Sequence, residues 1–483
     1  MTDLPRGGKT AFVLAGGGTK GSFEAGALQY VVGTEGIIPD IVTATSAGAI
    51  AAAVLAQART LSEFSQRVQE IEDDILAMTR TEYVFGQADW LRALKGTSLG
   101  DSIQFALTEG TRPAVAGDPT VDGTSAPTDP SPRAQQRADR KLKRKKQRKA
   151  FRMVAGAAHR LPKVRRKLGT SGTSALNLQP LGDALRRGGP SGIRPINPDL
   201  IRRPGLELRL AVTALRAGVL RYITEDGTIV EEDARTPVAG SGSGPVDFVD
   251  GVLASASVPM IFPPRPLADD DYVDGGVIQV IPVRAAVQLG ATRVVAVMAM
   301  PLALARDDHD FSAGHAADIG MRAIGLIGIA DRQRENLAIT LPAGTTLTTI
   351  DPVIDVVGLF EVEPGLLRIN KDYGWLRAAD VLAEGDPTMV AEVAAGTHDL
   401  VQARLRAWHL EETLWGNDQV TAQGQAGALA LLREIKEQIY TVVDQRKQLG
   451  FPVPEGCEAW WTEYEVHGGL RPADLPPCPT PKG

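Results

Sequence analysis

The sequence predicts an α/β protein: a mostly parallel central sheet flanked by helices, with a basic insertion and a mainly helical C-terminal region. Three observations lead to this prediction. Short apolar runs alternate with helical patterns over the first sixty residues. Sixteen Lys or Arg and one acid lie between Arg133 and Lys167. Helical patterns then dominate the chain after about residue 310.

The N-terminal elements alternate between strand and helix. AFVLA is typical of a short buried strand and GSFEAGALQYVV of a helix, and DIVTATS and AGAIAAAVLAQA repeat that pair. Such alternation indicates βαβ units and therefore parallel strands. A further helix is expected over Leu61–Met78.

The middle of the chain differs in composition. Gly110–Arg133 is rich in Pro, Gly, Ser, Thr and Asp, which predicts a disordered linker ahead of the basic run. Strand patterns return in LELRLAVTAL and VLRYITEDG, and FVDGVLASAS is expected to be a helix. YVDGGVIQVIPV and TRVVAVMAM are expected to supply the last strands of the sheet.

The C-terminal region has helical patterns over Met321–Leu341, Met389–Trp415 and Ala426–Leu449, before a Pro-rich tail. We therefore expect three parts. Residues 1–109 and 205–310 form the sheet domain, residues 110–204 form an inserted linker and basic arm, and residues 311–483 form a mainly helical domain.

Charge and composition limit the class of protein. The net charge is −6, but the basic arm holds about +15, so the rest of the chain is acidic. The two cysteines, Cys457 and Cys478, are expected to be free thiols in a reducing, cytoplasmic compartment. Neither a signal peptide nor a spanning apolar run is apparent, so any membrane contact is expected to be peripheral.

A glycine-rich loop follows the first strand, and Gly16, Gly18 and Gly21 fit the dinucleotide pattern G-x-G-x-x-G. That pattern requires an acid at the carboxyl end of the second strand, where the ligand would lie. Asp40 instead precedes the second strand. A P-loop is excluded because Lys20 is followed by Gly21 rather than by Ser or Thr.

The carboxyl end of the second strand carries a serine in Ala44-Thr45-Ser46-Ala47-Gly48. This is the nucleophile-elbow pattern G-x-S-x-G with alanine in the first place. The glycine loop passes the same end of the sheet, so its N–H groups are suited to binding the oxyanion of an acyl transfer reaction. Lys20 would add positive charge there or brace the loop.

A serine nucleophile needs a base. None of the six histidines ends an obvious strand: His159, His309, His315, His398, His409 and His467. Asp274, in Tyr272-Val273-Asp274-Gly275-Gly276, follows a short β-rich run and is a candidate. Taken alone, Asp-Gly-Gly would be better explained as a plain turn.

Together these motifs resemble the patatin-like phospholipases, which carry a GGGxRG-like oxyanion loop, a GxSxG serine and a DGG/A aspartate in that order. The matching residues are Gly16, Gly17, Gly18, Thr19, Lys20 and Gly21 for the loop, Ser46 between Ala44 and Gly48, and Asp274 before Gly275 and Gly276. ASASVP, which begins at Ala254, is similar to the family's lead-in to its aspartate. The resemblance covers residues 10–57 and about 207–300, and Phe360–Val381 is similar to an extension of bacterial members.

The resemblance implies a three-layer fold and a Ser46–Asp274 dyad with no histidine, cofactor or metal. Ser46 would be the nucleophile and Asp274 the base, releasing fatty acids from phospholipids or lysophospholipids through an acyl-enzyme. Two residues depart from the family pattern: Ala44 replaces a glycine, and Lys20 replaces an arginine. Lysine keeps the charge but not the rigid fork of arginine.

Other functions stay open at this point. The same dyad would serve an acyltransferase or a thioesterase. A non-catalytic scaffold could act through the basic arm, and a dinucleotide-binding enzyme is a third possibility. Acidic runs at residues 269–271 and 307–310 lack a recognised metal-binding pattern and are expected to be solvated loops.

The basic arm, residues 133–168, is expected to meet an anionic membrane surface. Phe151, Val154, Ala158 and Leu161 would form a short apolar stripe beside the cationic residues, as in an interfacial helix. Nucleic acid would attract the same charges, but no base-reading motif accompanies them, so it is the second choice.

Overall fold

The structure is a computed structural model. It describes residues 8–77, 84–87, 176–189, 192–239, 244–259, 261–268, 270–301, 339–416, 422–466 and 477–481, with the single residues 82 and 174. The predicted linker, the basic arm, the stretch 307–310 and most of the helix expected over Met321–Leu341 lie outside these ranges.

Nine strands of the described chain form one sheet. They are β1 (Lys9–Leu14), β2 (Ile41–Ala44), β5 (Glu207–Ala214), β6 (Val219–Thr224), β7 (Ile229–Val230), β8 (Arg265–Leu267), β9 (Asp270–Asp274), β10 (Ala291–Val297) and β11 (Thr346–Ile350). A small second sheet pairs β3 (Gly86–Gln87) with β4 (Leu176–Asn177). The main order is β11-β10-β1-β2-β5-β6-β7, parallel from β11 to β5 and antiparallel beyond.

Helices cover this sheet and build the C-terminal region. Those before residue 300 are α1 (Ser22–Leu28), α2 (Ala47–Leu55), α3 (Leu61–Leu76), α4 (Gln179–Arg187), α5 (Pro198–Ile201), α6 (Phe248–Ser255) and α7 (Val283–Gln288). After β11 come α8 (Pro364–Leu382), α9 (Pro387–Gly416), α10 (Ala422–Gln448) and α11 (Ala459–Thr462). The predicted fold class, a mostly parallel sheet flanked by helices with a helical C-terminal region, is confirmed.

Strand β1 shows why the sheet has helices on both faces. Successive side chains of a strand point to opposite faces. Ala11 and Val13 pack into a cluster with α7, whereas Phe12 and Leu14 pack into the larger cluster with α1, α2 and the C-terminal helices. All four are buried, which explains the uninterrupted apolar run in the sequence.

Helix α8 of the C-terminal region packs directly against α1. The contact is backbone to backbone: a Cβ on Gly26 would lie 1.7 Å from the Lys371 carbonyl oxygen, and a Cβ on Gly374 would lie 1.9 Å from the Phe23 carbonyl oxygen. Tyr373 adds an edge-to-face contact with Phe23, at 5.4 Å between ring centroids. The two halves of the chain therefore share one core.

Several elements differ from the sequence-based expectation; helix α8, for example, was not among the expected helices. In YVDGGVIQVIPV the strand ends at Asp274, and a 3₁₀ turn over Gly275–Val277 follows, because Asp274 caps that turn by accepting from the Gly276 N–H. Strand β11 was not expected, and it adds a parallel edge to the sheet from a segment assigned to the helical region. No helix in the described part of the chain is long and apolar enough to cross a membrane.

Gly374→Ala is expected to lower the free energy of unfolding by about 1–3 kcal/mol or more, because the added methyl group must push α8 away from α1. Gly427→Ala is the matched control, since Gly427 is also helical and its Cβ would meet no atom within 4 Å. The control is expected to be neutral or to gain up to about 1 kcal/mol. Urea unfolding measures both, and equal effects would contradict the proposed tight contact.

Candidate active site: a serine elbow beside a buried aspartate

Ser46 occupies a sharp turn between β2 and α2. Its backbone has φ 57° and ψ −126°, in the region that disfavours residues with a side chain. Such a conformation costs about 1–3 kcal/mol and persists only where neighbours enforce it. The turn places the serine at the carboxyl end of β2, as the elbow pattern predicts, and the side chain is largely buried there.

Close packing explains the small residues around Ser46. A Cβ on Gly48 would lie 2.7 Å from the carbonyl oxygens of both Leu14 and Ala15, so only glycine fits there. Ala44 is the last residue of β2, paired with Leu14 and Leu210, and its methyl group is fully buried. Alanine at this place therefore does not crowd the turn.

The Ser255 side chain, at the end of α6, is hydrogen-bonded to the backbone of the elbow. Its hydroxyl accepts a 3.1 Å hydrogen bond from the Ser46 N–H and donates a 2.7 Å bond to the Ala211 carbonyl of β5. In the sequence Ser255 lies within the family-like block ASASVP, which does not indicate a role for it. The only sequence feature that could have indicated this role is the alternation of Ala and Ser at the end of α6. That alternation does not show which group the Ser255 hydroxyl would bond.

The strand order brings Asp274 to the serine. One edge of β5 pairs with β2 as far as Leu210, opposite Ala44. The same edge then pairs with β9, which runs in the opposite direction and ends with Asp274 opposite Val212. The carboxyl ends of β2 and β9 therefore lie close together along β5, one opposite Leu210 and the other opposite Val212.

Asp274 is fully buried and anchored through its backbone. Its N–H donates to the Ser257 carbonyl at 2.9 Å, and its own carbonyl accepts from the Thr213 hydroxyl at 3.1 Å. One carboxylate oxygen, Oδ1, accepts from the Gly276 N–H at 2.7 Å. Among the described residues, the other oxygen, Oδ2, has no hydrogen bond of good geometry.

Burial raises the pKa of Asp274 from 3.8 to about 6, against the smaller lowering effects of the Ser46 hydroxyl and the Gly276 N–H. The Ser46 hydroxyl thus lies near enough to favour the carboxylate, although no well-formed bond reaches Oδ2. At neutral pH Asp274 is mostly ionised and poised to accept a proton.

The glycine loop lies against this pair. A Cβ on Gly16 would be 2.7 Å from the Ser46 Cβ. In the described part of the chain, no hydrogen bond engages the N–H groups of Gly16, Gly17 or Gly18, whereas that of Thr19 donates to Leu359 and that of Lys20 to Gly17. Three backbone donors beside a nucleophile are suited to stabilising a developing oxyanion.

Other candidate residues lie elsewhere. The Asp40 carboxylate accepts from the Thr10 N–H at the start of β1, the end of the sheet opposite Ser46. His398 and His409 both lie in α9, and the remaining four histidines fall outside the described residues. The described residues contain no cluster of metal-binding side chains, and Cys457 and Cys478 form no disulfide.

An apolar cavity of about 90 Å³ adjoins the site. Gly18, Thr19 and Ala47 line its end next to Ser46. Aliphatic residues line most of the rest: Ile50, Val54, Ile71, Ile75, Leu181, Leu185, Ile193 and Leu367. Gly21, Ser22, Ala51 and Asp74 also line it. Glu24 also lines it, and burial raises the pKa of this carboxyl well above its ordinary value. The cavity therefore suits a hydrocarbon group.

Asp274→Asn is expected to stabilise the protein at pH 8 by up to about 3 kcal/mol, the cost of ionising a carboxyl whose pKa rises from 3.8 to about 6 on folding. Below pH 3.8 both folded and unfolded forms are protonated, so the gain should vanish; it should grow between pH 4 and 6 and stay constant above. Chemical unfolding at several pH values measures it.

Asp271→Asn is the control for that experiment, because Asp271 is on the same strand and partly exposed beside Arg216. Its effect should stay within about 0.5 kcal/mol at every pH. A loss of stability in Asp274→Asn at pH 8 would contradict the burial cost assigned to Asp274.

The comparisons agree with the motifs. The family model for patatin-like phospholipase matches residues 12–287, more than half of the chain. No curated protein matches the sequence. The crystal structure of VipD from Legionella pneumophila aligns over 97% of this chain and 92% of its own, at 15% identity and a TM-score of 0.28, too weak a likeness to support further argument. The family match confirms the resemblance seen in the sequence: the chain belongs to the patatin-like phospholipase family, which supports lipid acyl hydrolase activity.

Proposed function

We propose that this protein hydrolyses fatty acyl esters of phospholipids or lysophospholipids with a Ser46–Asp274 dyad. The observation that carries the proposal is the meeting of a strained serine elbow and a buried aspartate at one edge of β5. Strain and a raised pKa at one place are typical of a functional site rather than of a structural turn.

In the proposed reaction Asp274 accepts the hydroxyl proton while Ser46 Oγ bonds to the ester carbonyl carbon. The carbonyl electrons move to oxygen, and the tetrahedral intermediate expels the alcohol, which takes the proton from Asp274. Water then attacks the acyl-enzyme and gives its proton to Asp274. Release of the fatty acid returns that proton to Ser46 and completes the cycle.

The free N–H groups of the glycine loop would receive the negative charge of the intermediate. Loss of one such donor typically lowers turnover by about 100- to 1,000-fold. The first residues of α2 lie beside Ser46, and the helix N-terminus adds a favourable dipole. These donors are part of the backbone, so single side-chain substitutions do not remove them.

The apolar cavity supports a hydrocarbon substrate. Ala47, the residue after Ser46, lines it together with Gly18 of the glycine loop, and most of its remaining wall is aliphatic. A cavity of about 90 Å³ can hold a few methylene groups of a hydrocarbon substrate, rather than a whole fatty acyl chain. An acyltransferase or a thioesterase would use the same dyad, and analysis of the products distinguishes them from a hydrolase.

The membrane partner remains a hypothesis based on sequence. Residues 133–168 lie outside the described residues, and their charges suit anionic lipid at about 1 kcal/mol for each Lys or Arg near the surface. Since the proposed substrates reside in a bilayer, such attraction would raise the local substrate concentration.

The dyad is tested by fluorophosphonate labelling and by hydrolysis of p-nitrophenyl butyrate. The wild type should react in both assays, and Ser46→Ala and Asp274→Asn should lose at least about 1,000-fold in hydrolysis while remaining folded. For the wild type, kcat/KM should fall about tenfold per pH unit below about pH 6, because the base must be ionised.

Three results would contradict this assignment. Labelling that survives in Ser46→Ala would place the nucleophile elsewhere. A folded Asp274→Asn with wild-type turnover would exclude the base. Nucleotide binding by a protein that is inert in both assays would favour the dinucleotide alternative.

Deletion of residues 133–168 should weaken cosedimentation with vesicles that contain anionic lipid by at least tenfold, with no change on neutral vesicles. Hydrolysis of the water-soluble butyrate ester should remain within twofold of wild type. Equal vesicle binding with and without the arm would contradict the membrane role, and loss of DNA or RNA binding alone would assign the arm to nucleic acid.

A further inference from the structure

The glycine loop is held on its outer side by a segment far along the chain. The Thr19 N–H donates to the Leu359 carbonyl at 3.1 Å, and the Thr19 hydroxyl donates to the Gly358 carbonyl at 2.6 Å. Gly18, with φ +57°, passes so close that a Cβ there would lie 2.1 Å from the Leu359 oxygen. The loop is thus enclosed between Ser46 and residues 355–359.

An ion pair joins the same two segments. Lys20 Nζ lies 2.6 Å from Asp355 Oδ1, and the lysine and aspartate side chains are 11% and 27% exposed. Removing one partner of a largely buried pair leaves a desolvated charge, which is costly and displaces the remaining side chain toward water. Lys20 is in the loop itself, so such a displacement would move the loop backbone.

The C-terminal half also contacts the C-terminal end of the loop, where it leads into α1. The Asn370 amide, on α8, donates to the Lys20 carbonyl at 3.2 Å and to the Ser22 hydroxyl at 2.8 Å. The segment that carries Asp355 is itself anchored, because the Gly358 N–H donates to the Glu361 carboxylate at 3.0 Å. A rigid segment can impose its geometry on the loop.

Resting on the proposed function, we propose that Asp355 is a positioning residue of the active site: through Lys20 it holds the glycine loop in place against Ser46. Oxyanion donors work only when they are fixed before the charge develops. Since the loop would bind the oxyanion in the transition state and not the ground-state ester, its displacement should lower kcat and leave KM unchanged.

The test compares Asp355→Asn, Asp355→Glu, Lys20→Met and the double variant Lys20→Met/Asp355→Asn on p-nitrophenyl butyrate. Asp355→Asn should lower kcat by tenfold or more with KM within twofold. Asp355→Glu should recover part of that loss. In the Lys20→Met background, Asp355→Asn should change kcat by less than twofold, because the two residues act through each other.

Glu72→Gln is the matched control. Glu72 pairs with Lys371 at 2.9 Å, and the pair, with side chains 10% and 12% exposed, also joins the N-terminal half to α8. Lys371 has a second carboxylate partner in Asp372, at 2.8 Å. It lies away from the glycine loop, so kcat should stay within twofold of wild type. An equal loss of kcat in Glu72→Gln would assign the Asp355 effect to general destabilisation and overturn the proposal.

Hydrogen exchange of the Thr19 and Lys20 amides, which are hydrogen-bonded to Leu359 and Gly17, gives a readout independent of hydrolysis. Asp355→Asn should speed exchange there, whereas Glu72→Gln should not. Unchanged exchange with unchanged kcat would overturn the proposal. If the wild type neither labels nor hydrolyses, the proposed function has failed, and the exchange result still decides whether Asp355 holds the loop. If Asp355→Asn does not fold, the double variant, which leaves no unpaired charge, gives the exchange result.

Discussion

One edge of strand β5 pairs with β2 and then with β9, and the candidate site depends on this shared edge. The two strands approach from opposite directions, so their carboxyl ends meet without either strand crossing the other. Each end carries one reactive side chain. The distance between Ser46 and Asp274 is therefore set by backbone hydrogen bonds, which are among the most rigid constraints in a protein.

The site holds its geometry at the expense of stability. Ser46 has a backbone conformation that alone is unfavourable, and Asp274 carries a charge into the interior with one oxygen that accepts no well-formed hydrogen bond from the described residues. Neighbouring groups hold both residues in place. The Ser255 hydroxyl bonds the Ser46 N–H, and the Thr213 hydroxyl and Ser257 carbonyl bond the backbone of Asp274. Such local conflict within an otherwise consistent fold marks functional sites in general.

Much of this arrangement follows from the sequence. Buried parallel strands have apolar runs that are easy to recognise, and their carboxyl ends indicate where the ligand site lies, so Ser46 was placed correctly at the end of β2. The antiparallel direction of β9 was not predictable, because alternation along one strand does not encode its partner. Strand β11, TLTTI, is mostly half-buried and rich in threonine, so it lacks an apolar run. Helix α8 is buried on most sides and therefore shows no one-sided apolar pattern.

The contacts around the glycine loop also bear on when the site forms during synthesis. Lys20 and Asp355 are separated by 335 residues, and Thr19 and Gly358 by 339. A chain is made from its N-terminus at about 5–20 residues per second. The elbow, the loop and Asp274 all leave the ribosome before residue 355 exists. A nascent chain thus carries both members of the proposed dyad for several seconds without the segment that contacts its glycine loop, and it completes the candidate site only when most of the protein has been made.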